Sequence, residues 1–306
     1  MGASHARVGP GFVVQWSVMS TRTAPPHRFV YSADGVNLAT YEFGDPSAPT
    51  VLAVHGFASS ALTNWHVTGW TRDLVRAGFH VIAIDQRGHG LSDKPRSPAD
   101  YTMEALVDDV LQVLDAYLLD EVCYAGYSLG ARVGWQAARE LEGRITRAVL
   151  GGIPDGDPLK RFKVTDARAH IEHGTEVDDR LTGAYLTMAR ALPGNDLKAL
   201  VALVEGMRGG PQPAAENAPA QPVLFATGSK DSILEASKAL AAATPNGEFF
   251  EIPGRNHFNA PTSRAFREAA IEFFRRDGST GSSTGSSTGG AGTAPVQVDP
   301  GEHAPH

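Results

Sequence analysis

Two rhythms of apolar and polar positions alternate along most of the chain. Short apolar runs over 28–32, 36–43, 50–55, 80–84, 122–125, 147–150, 222–227 and 248–252 read as strands, set off by glycine, proline or acidic residues. Asp34 and Gly35 between the first two of these runs carry the signal of a tight hairpin turn. The run at 50–55 is almost wholly apolar, as expected of a strand buried on both faces. Between the strands, apolar residues recur at helical spacing over 70–77, 102–119, 131–141 and 266–274; Leu106, Val110, Leu111 and Leu114 mark one such face. Strands alternating with helices predict an α/β fold with a mostly parallel central sheet and helices on both faces.

One stretch departs from this rhythm. Residues 157–221 carry helical patterns at 181–191 and 197–207, no convincing strand, and a loop-like end rich in proline and alanine. A helical block inserted between two parallel strands is expected to lie over their carboxyl ends as a small cap, excluding water from a pocket. The plainer alternative is a long, decorated crossover with no catalytic part. The predicted organisation is a core made of 28–156 and 222–277, a cap at 157–221, a leader at 1–27 and a tail at 278–306. The tail opens on a Gly/Ser/Thr tract with almost nothing to bury, and the leader permits Met19 as an alternative start.

Composition narrows the partners. A chain of 306 residues with 42% apolar and 20% charged residues can build a substantial core. Its net charge of −7 and the lack of a basic run argue against nucleic acid. No apolar run reaches transmembrane length, and the stretch 11–19 is short and broken by Gln15, unlike a secretory signal. Alanine at position 6 fails the myristoylation pattern. The lone Cys123 excludes an intrachain disulfide and reads as a buried strand residue, so the fold needs no oxidising compartment, and with no signal or spanning run a cytoplasmic location is expected. His303 and His306 in the tail read as solvated side chains rather than metal ligands, and the serine chemistry set out below implies no metal or organic cofactor.

The chemistry concentrates at Gly126-Tyr127-Ser128-Leu129-Gly130, where an apolar strand runs into a helical pattern. G-x-S-x-G in that setting is a nucleophile elbow, a sharp turn that holds one serine clear of strand and helix. A glycine-rich turn of no catalytic use has the same composition, but not that context. A serine hydroxyl is a poor nucleophile at neutral pH, so it requires a base, and the base an orienting acid. Enzymes built on this elbow order the three as Ser, Asp or Glu, His. Downstream of Ser128 and before the tail the histidines are His170, His173 and His257. The first two flank Glu172 on a helical, solvated face of the cap, which leaves His257, in the loop after the last strand, as the base. Asp231 follows the strand at 222–227 and is the expected acid, with Asp155 and Asp157 as rivals and helix capping as its other reading. The oxyanion of acyl transfer needs donors, for which the backbone N–H groups of Leu129 and of Phe57, in the loop after the third strand, are nominated.

His55-Gly56-Phe57, the run from Asp85 to Asp93 (D-Q-R-G-H-G-L-S-D), the elbow, 228–231 and His257 follow one another in an order that resembles the α/β-hydrolase superfamily. Within it the chain is similar to the lid-bearing branch of small esterases, lactonases, C–C bond hydrolases and cofactor-free haloperoxidases. The resemblance implies an α/β-hydrolase fold, with Asp85 to Asp93 as structural support beside the site. Serine at 128 departs from haloalkane dehalogenases and epoxide hydrolases, which carry aspartate there. No HGGG run follows His55, and Leu129 stands where several esterase and lactonase groups have methionine. The expected function is cleavage of a small or medium carboxylic ester or lactone through an acyl-enzyme. Hydrolytic C–C cleavage of a diketone, or small-molecule binding with negligible turnover, are the alternatives.

Overall fold

The computed structural model describes residues 24–276. Residues 1–23 and 277–306, with Met19, His303 and His306, lie outside the described residues. Among the described residues the strands are β1 (His27–Tyr31), β2 (Asn37–Phe43), β3 (Thr50–Val54), β4 (His80–Ile84), β5 (Val122–Tyr127), β6 (Ile145–Gly151), β7 (Val223–Gly228) and β8 (Gly247–Ile252). They form one sheet in the order β1-β2-β4-β3-β5-β6-β7-β8. The pairs β1–β2 and β2–β4 are antiparallel and all others parallel. The fold is therefore an α/β-hydrolase sheet. The expected leader boundary moves: His27 pairs with Tyr41 in the first ladder, so the core begins inside the stretch assigned to the leader.

The helices are α1 (Trp70–Arg76), α2 (Met103–Ala116), α3 (Leu129–Glu140), α4 (Val164–His173), α5 (Arg180–Ala191), α6 (Leu197–Gly206), α7 (Leu234–Ala243) and α8 (Arg264–Phe274). Successive side chains of β3 serve opposite faces. Leu52 and Val54 join one apolar cluster with Tyr124, Trp135 and Phe225, while Val51 and Ala53 join another with Trp70, Phe266 and Phe273. That two-sided burial explains the unbroken apolar character of the central strands. No helix among the described residues is long and apolar enough to cross a membrane.

The chain leaves β3 for β4 on one side, then crosses back so that β5 pairs on the other side of β3. Ligands of open α/β sheets bind at such a reversal, beyond the strands' carboxyl ends. α4, α5 and α6 fall between β6 and β7. Tyr185 of α5 meets Phe57 edge to face with ring centroids 5.5 Å apart, and Asn195 donates to the Ala58 carbonyl at 3.1 Å. These contacts bring the helical block onto the loop that follows β3.

Candidate active site

Ser128 sits between β5 and α3 at φ 52° and ψ −110°, a backbone conformation side-chain-bearing residues avoid. Its N–H donates to the Gly151 carbonyl at 2.8 Å, and its own carbonyl accepts the Arg132 N–H at 3.0 Å, opening α3. The two motif glycines are required by close backbone approach. A Cβ on Gly126 would lie 2.5 Å from the Gly130 carbonyl oxygen, and one on Gly130 would lie 2.1 Å from that of Val54. Without them α3 could not pack onto β3 and β5 at this depth, and the serine would not be raised above both.

Asp231 and His257 arrive from the ends of β7 and β8. Nδ1 of His257 lies 2.8 Å from Asp231 Oδ2, and its Nε2 lies 3.0 Å from Ser128 Oγ. A carboxylate only accepts, so Nδ1 carries the proton and Nε2 is left to accept from the serine hydroxyl. Asp231 also accepts the Ile233 N–H at 3.2 Å through Oδ1, so it caps the turn before α7 while the other oxygen holds the imidazole. The two contacts use different oxygens, so holding the turn and facing the imidazole do not compete. The rivals Asp155 and Asp157 line the cavity that contains Ser128 but are not bonded to His257: Asp155 is exposed, and Asp157 Oδ1 accepts from Arg132 at 3.2 Å and from the Leu159 N–H at 3.0 Å. His170 is engaged by the Thr175 carbonyl, and His173 is exposed beside Glu172.

The N–H of Leu129 precedes the first helical hydrogen bond of α3 and has no acceptor within the helix. Phe57 and Leu129 both line the cavity that contains Ser128. The loop bearing Phe57 is held from two sides. Ala58, at φ 55°, donates its N–H to His89 Nε2 at 3.0 Å while its carbonyl accepts from Asn195. His55 Nε2 likewise accepts the Gln86 N–H at 3.1 Å. Each imidazole carries its proton on Nδ1, facing the Gly56 carbonyl from His55 and the Arg87 carbonyl from His89. Complete burial pushes His55 down to about 4 and His89 to about 3, with the neighbouring His55 adding to the shift at His89. Both are thereby kept neutral, as acceptors of backbone N–H groups must be.

The stretch from Asp85 to Asp93 braces this arrangement. Asp85 accepts from the Ala61 N–H at 2.7 Å and the Leu91 N–H at 2.9 Å. Arg87 clasps Asp109 of α2 through two 2.7 Å hydrogen bonds and reaches Asp34 at 2.8 Å in the β1–β2 turn. Cys123 is partly buried on β5, where desolvation pushes its thiol up to about 11.

Residues without a motif complete the site. Tyr127 donates its hydroxyl to the His257 carbonyl at 2.5 Å and is buried, which raises its phenol well above the ordinary value. Leu159, Arg161, Leu181 and Tyr185 of the inserted block line the cavity at Ser128, of about 460 Å³, with Arg132 and Phe258. No sequence signal short of knowing the packing of α5 points to them. No cluster of three or more His, Cys, Asp or Glu able to hold a metal occurs among the described residues.

Comparison with known proteins bears on the fold. The family described as "alpha/beta hydrolase fold" matches residues 49–169. Epoxide hydrolase A of Mycobacterium tuberculosis is 34% identical over 146 residues, covering 48% of this chain and 43% of the relative. The chain thus spans less than half the length of that curated relative. The enol-lactonase of Burkholderia xenovorans LB400 superposes with a TM-score of 0.66 at 21% identity, over 80% of this chain and 99% of that one. A thermophilic esterase from Thermogutta terrifontis gives 0.66 at 22% identity, over 82% and 98%. At these identities the superpositions establish a shared fold.

Proposed function

The chain belongs to the α/β-hydrolase superfamily, and from that premise we propose that it is a serine hydrolase cleaving small or medium carboxylic esters or lactones. The observation that carries this reading is the unbroken hydrogen-bonded series Ser128–His257–Asp231 at 3.0 and 2.8 Å. In the proposed reaction Ser128 Oγ attacks the substrate carbonyl carbon while His257 Nε2 takes the hydroxyl proton. Asp231 holds the resulting imidazolium, and the N–H groups of Phe57 and Leu129 receive the charge on the carbonyl oxygen. His257 then returns the proton to the leaving alkoxide, and the freed alcohol departs. Water, deprotonated by the same imidazole, cleaves the acyl-serine ester and restores the enzyme.

Serine at 128 favours acyl transfer over opening of an epoxide, the activity in the name of one relative. An epoxide opened by a hydroxyl would leave a stable alkyl ether on the protein, whereas a carboxylate would leave an ester that water can cleave. The cavity of about 460 Å³ falls in the range for small-molecule ligands, which supports a small-molecule substrate. The lone cysteine suits work in the cytoplasm.

Labelling by a fluorophosphonate tests the nucleophile. The expected result is a single adduct on Ser128, lost in Ser128→Ala, together with hydrolysis of p-nitrophenyl acetate or butyrate that disappears in the same variant. An adduct on another serine, or folded protein that neither labels nor turns over ester, overturns the reading.

A further inference from the structure

The Ser128–His257 pair stands between two cavities of unequal size. The larger measures about 460 Å³ and the smaller about 100 Å³. Phe57, Ser128, Tyr185, His257 and Phe258 line both. One face of α5 spans the division: Leu181, Tyr185 and Met188 follow at helical spacing and so share a stripe. Leu181 lines only the larger cavity, Tyr185 lines both, and Met188 lines only the smaller. Met188 is half-buried and packs against the main apolar cluster, so its side chain is a held wall rather than a free surface group.

An acyl-transfer substrate has two groups flanking its carbonyl carbon, and a serine placed between two cavities directs them apart. Water occupies about 30 Å³ per molecule in the liquid, so the smaller cavity has room for about three non-hydrogen atoms, the size of an ethoxy or acetyl group. We propose that the substrates are esters with one short flank, of ethoxy or acetyl size, and one extended flank, and that Met188 sets the short limit. The inference rests on the acyl-transfer reading of Ser128. The extended flank enters a cavity whose lining is apolar at Phe57, Leu159 and Leu181 and charged at Arg132, Asp157 and Arg161. A purely compact substrate would leave that cavity unfilled, and one extended on both sides would overrun the smaller cavity, of which Met188 is one wall.

The test uses two fluorophosphonates that share a hexyl arm and differ in the second, ethoxy or hexyloxy. In labelling, the Ser128 Oγ–phosphorus bond forms, the phosphorus–fluorine bond breaks, fluoride departs, and the hydroxyl proton passes to His257. The ethoxy probe is expected to label the unaltered protein on the order of tenfold to a hundredfold faster, the usual penalty of forcing extra methylenes into a filled space. Met188→Ala is expected to bring the two rates within roughly threefold by opening that wall, and Met188→Leu, of similar volume, to keep the discrimination. Equal labelling of the unaltered protein by both probes overturns the size limit while leaving Ser128 as nucleophile. Discrimination that survives in a folded Met188→Ala protein removes the role of Met188. Failure of both probes to label sinks the acyl-transfer reading itself. The first comparison needs no variant, so it stands even if a substitution at 188 unsettles the fold.

Discussion

Held at φ 52°, Ser128 carries backbone strain on the order of 1–3 kcal/mol, which the surrounding hydrogen bonds and the packing of α3 must offset. In the proposed mechanism the carboxylate that completes its series acts through orientation. Asp231→Asn preserves the shape but presents an amide that can donate to Nδ1, favouring the wrong imidazole tautomer. Ester turnover by the purified variant is therefore expected to fall by about three to four powers of ten. Asp155→Asn and Asp157→Asn are expected to cost far less, since neither meets His257. A large loss at Asp155 or Asp157, with folding confirmed by circular dichroism, would move the acid to the end of β6. His55 and His89 give a different observable. In the unfolded chain each titrates near 6.5, in the fold only near 4 and 3, so the unfolded state binds more protons across that window. Their contribution to stability is complete above about pH 6.5 and is lost as the pH falls toward 4, by about 1.4 kcal/mol per pH unit for each histidine. Urea unfolding between pH 7 and 5 measures the slope, and His89→Gln is expected to remove about one proton from it.

At the scale of elements, the elbow depends on how closely α3 lies against β3. Gly130→Ala places a methyl group against the Val54 and His55 carbonyl oxygens, at 2.1 and 2.7 Å, where only backbone movement can make room. Destabilisation of about 1–3 kcal/mol or more is expected, read from the urea midpoint at constant slope. A change within about 0.5 kcal/mol, no more than an ordinary surface substitution gives, would show that α3 does not approach β3 this tightly. Element boundaries followed the pattern where it was strong. Expected strand and observed strand coincide at His80–Ile84, because the run is apolar from Val81 on and lies between Gly78 and Asp85. The elbow strand continues two residues further than its apolar run, through Gly126 and Tyr127, since β6 pairs with it to the end. α4 and α7 were weakly marked. α4 buries only Val164 and Ala167, and α7 buries Ser237, Leu240 and Ala241, too few large apolar residues to produce a clear helical period.

Across the molecule, Arg87 ties together parts far apart in the chain: Asp34 in the β1–β2 turn, the Asp100 carbonyl and Asp109 of α2. It is almost fully buried, and so is Asp109. Arg87→Met leaves that carboxylate unpaired in the interior and is expected to cost about 3–5 kcal/mol. Adding Asp109→Leu is expected to recover much of the loss, because an apolar pair asks for no compensating charge. Chemical denaturation of the two single variants and the double variant checks this, and strict additivity would rule the ion pair out as the cause.

What the sequence by itself determined is what local spacing encodes. Apolar runs with intervening helical periods specify a doubly covered parallel sheet, and G-x-S-x-G at a strand–helix junction singles out Ser128. Chain order and strand ends then nominate His257 and Asp231, with Asp155 and Asp157 left as rivals. Tertiary structure alone decided the rest. Whether Asp231 reaches Nδ1 at 2.8 Å depends on β7 and β8 lying side by side. His89 serves Ala58 only because the loops after β3 and β4 meet. Tyr127, Tyr185, Met188 and Phe258 carry no motif, for a packing contact imposes size and shape and leaves the residue type largely open. The division of the site into a large and a small cavity comes from where α5 rests on the sheet's carboxyl edge, a placement set by the summed burial of many side chains and by no short run of residues.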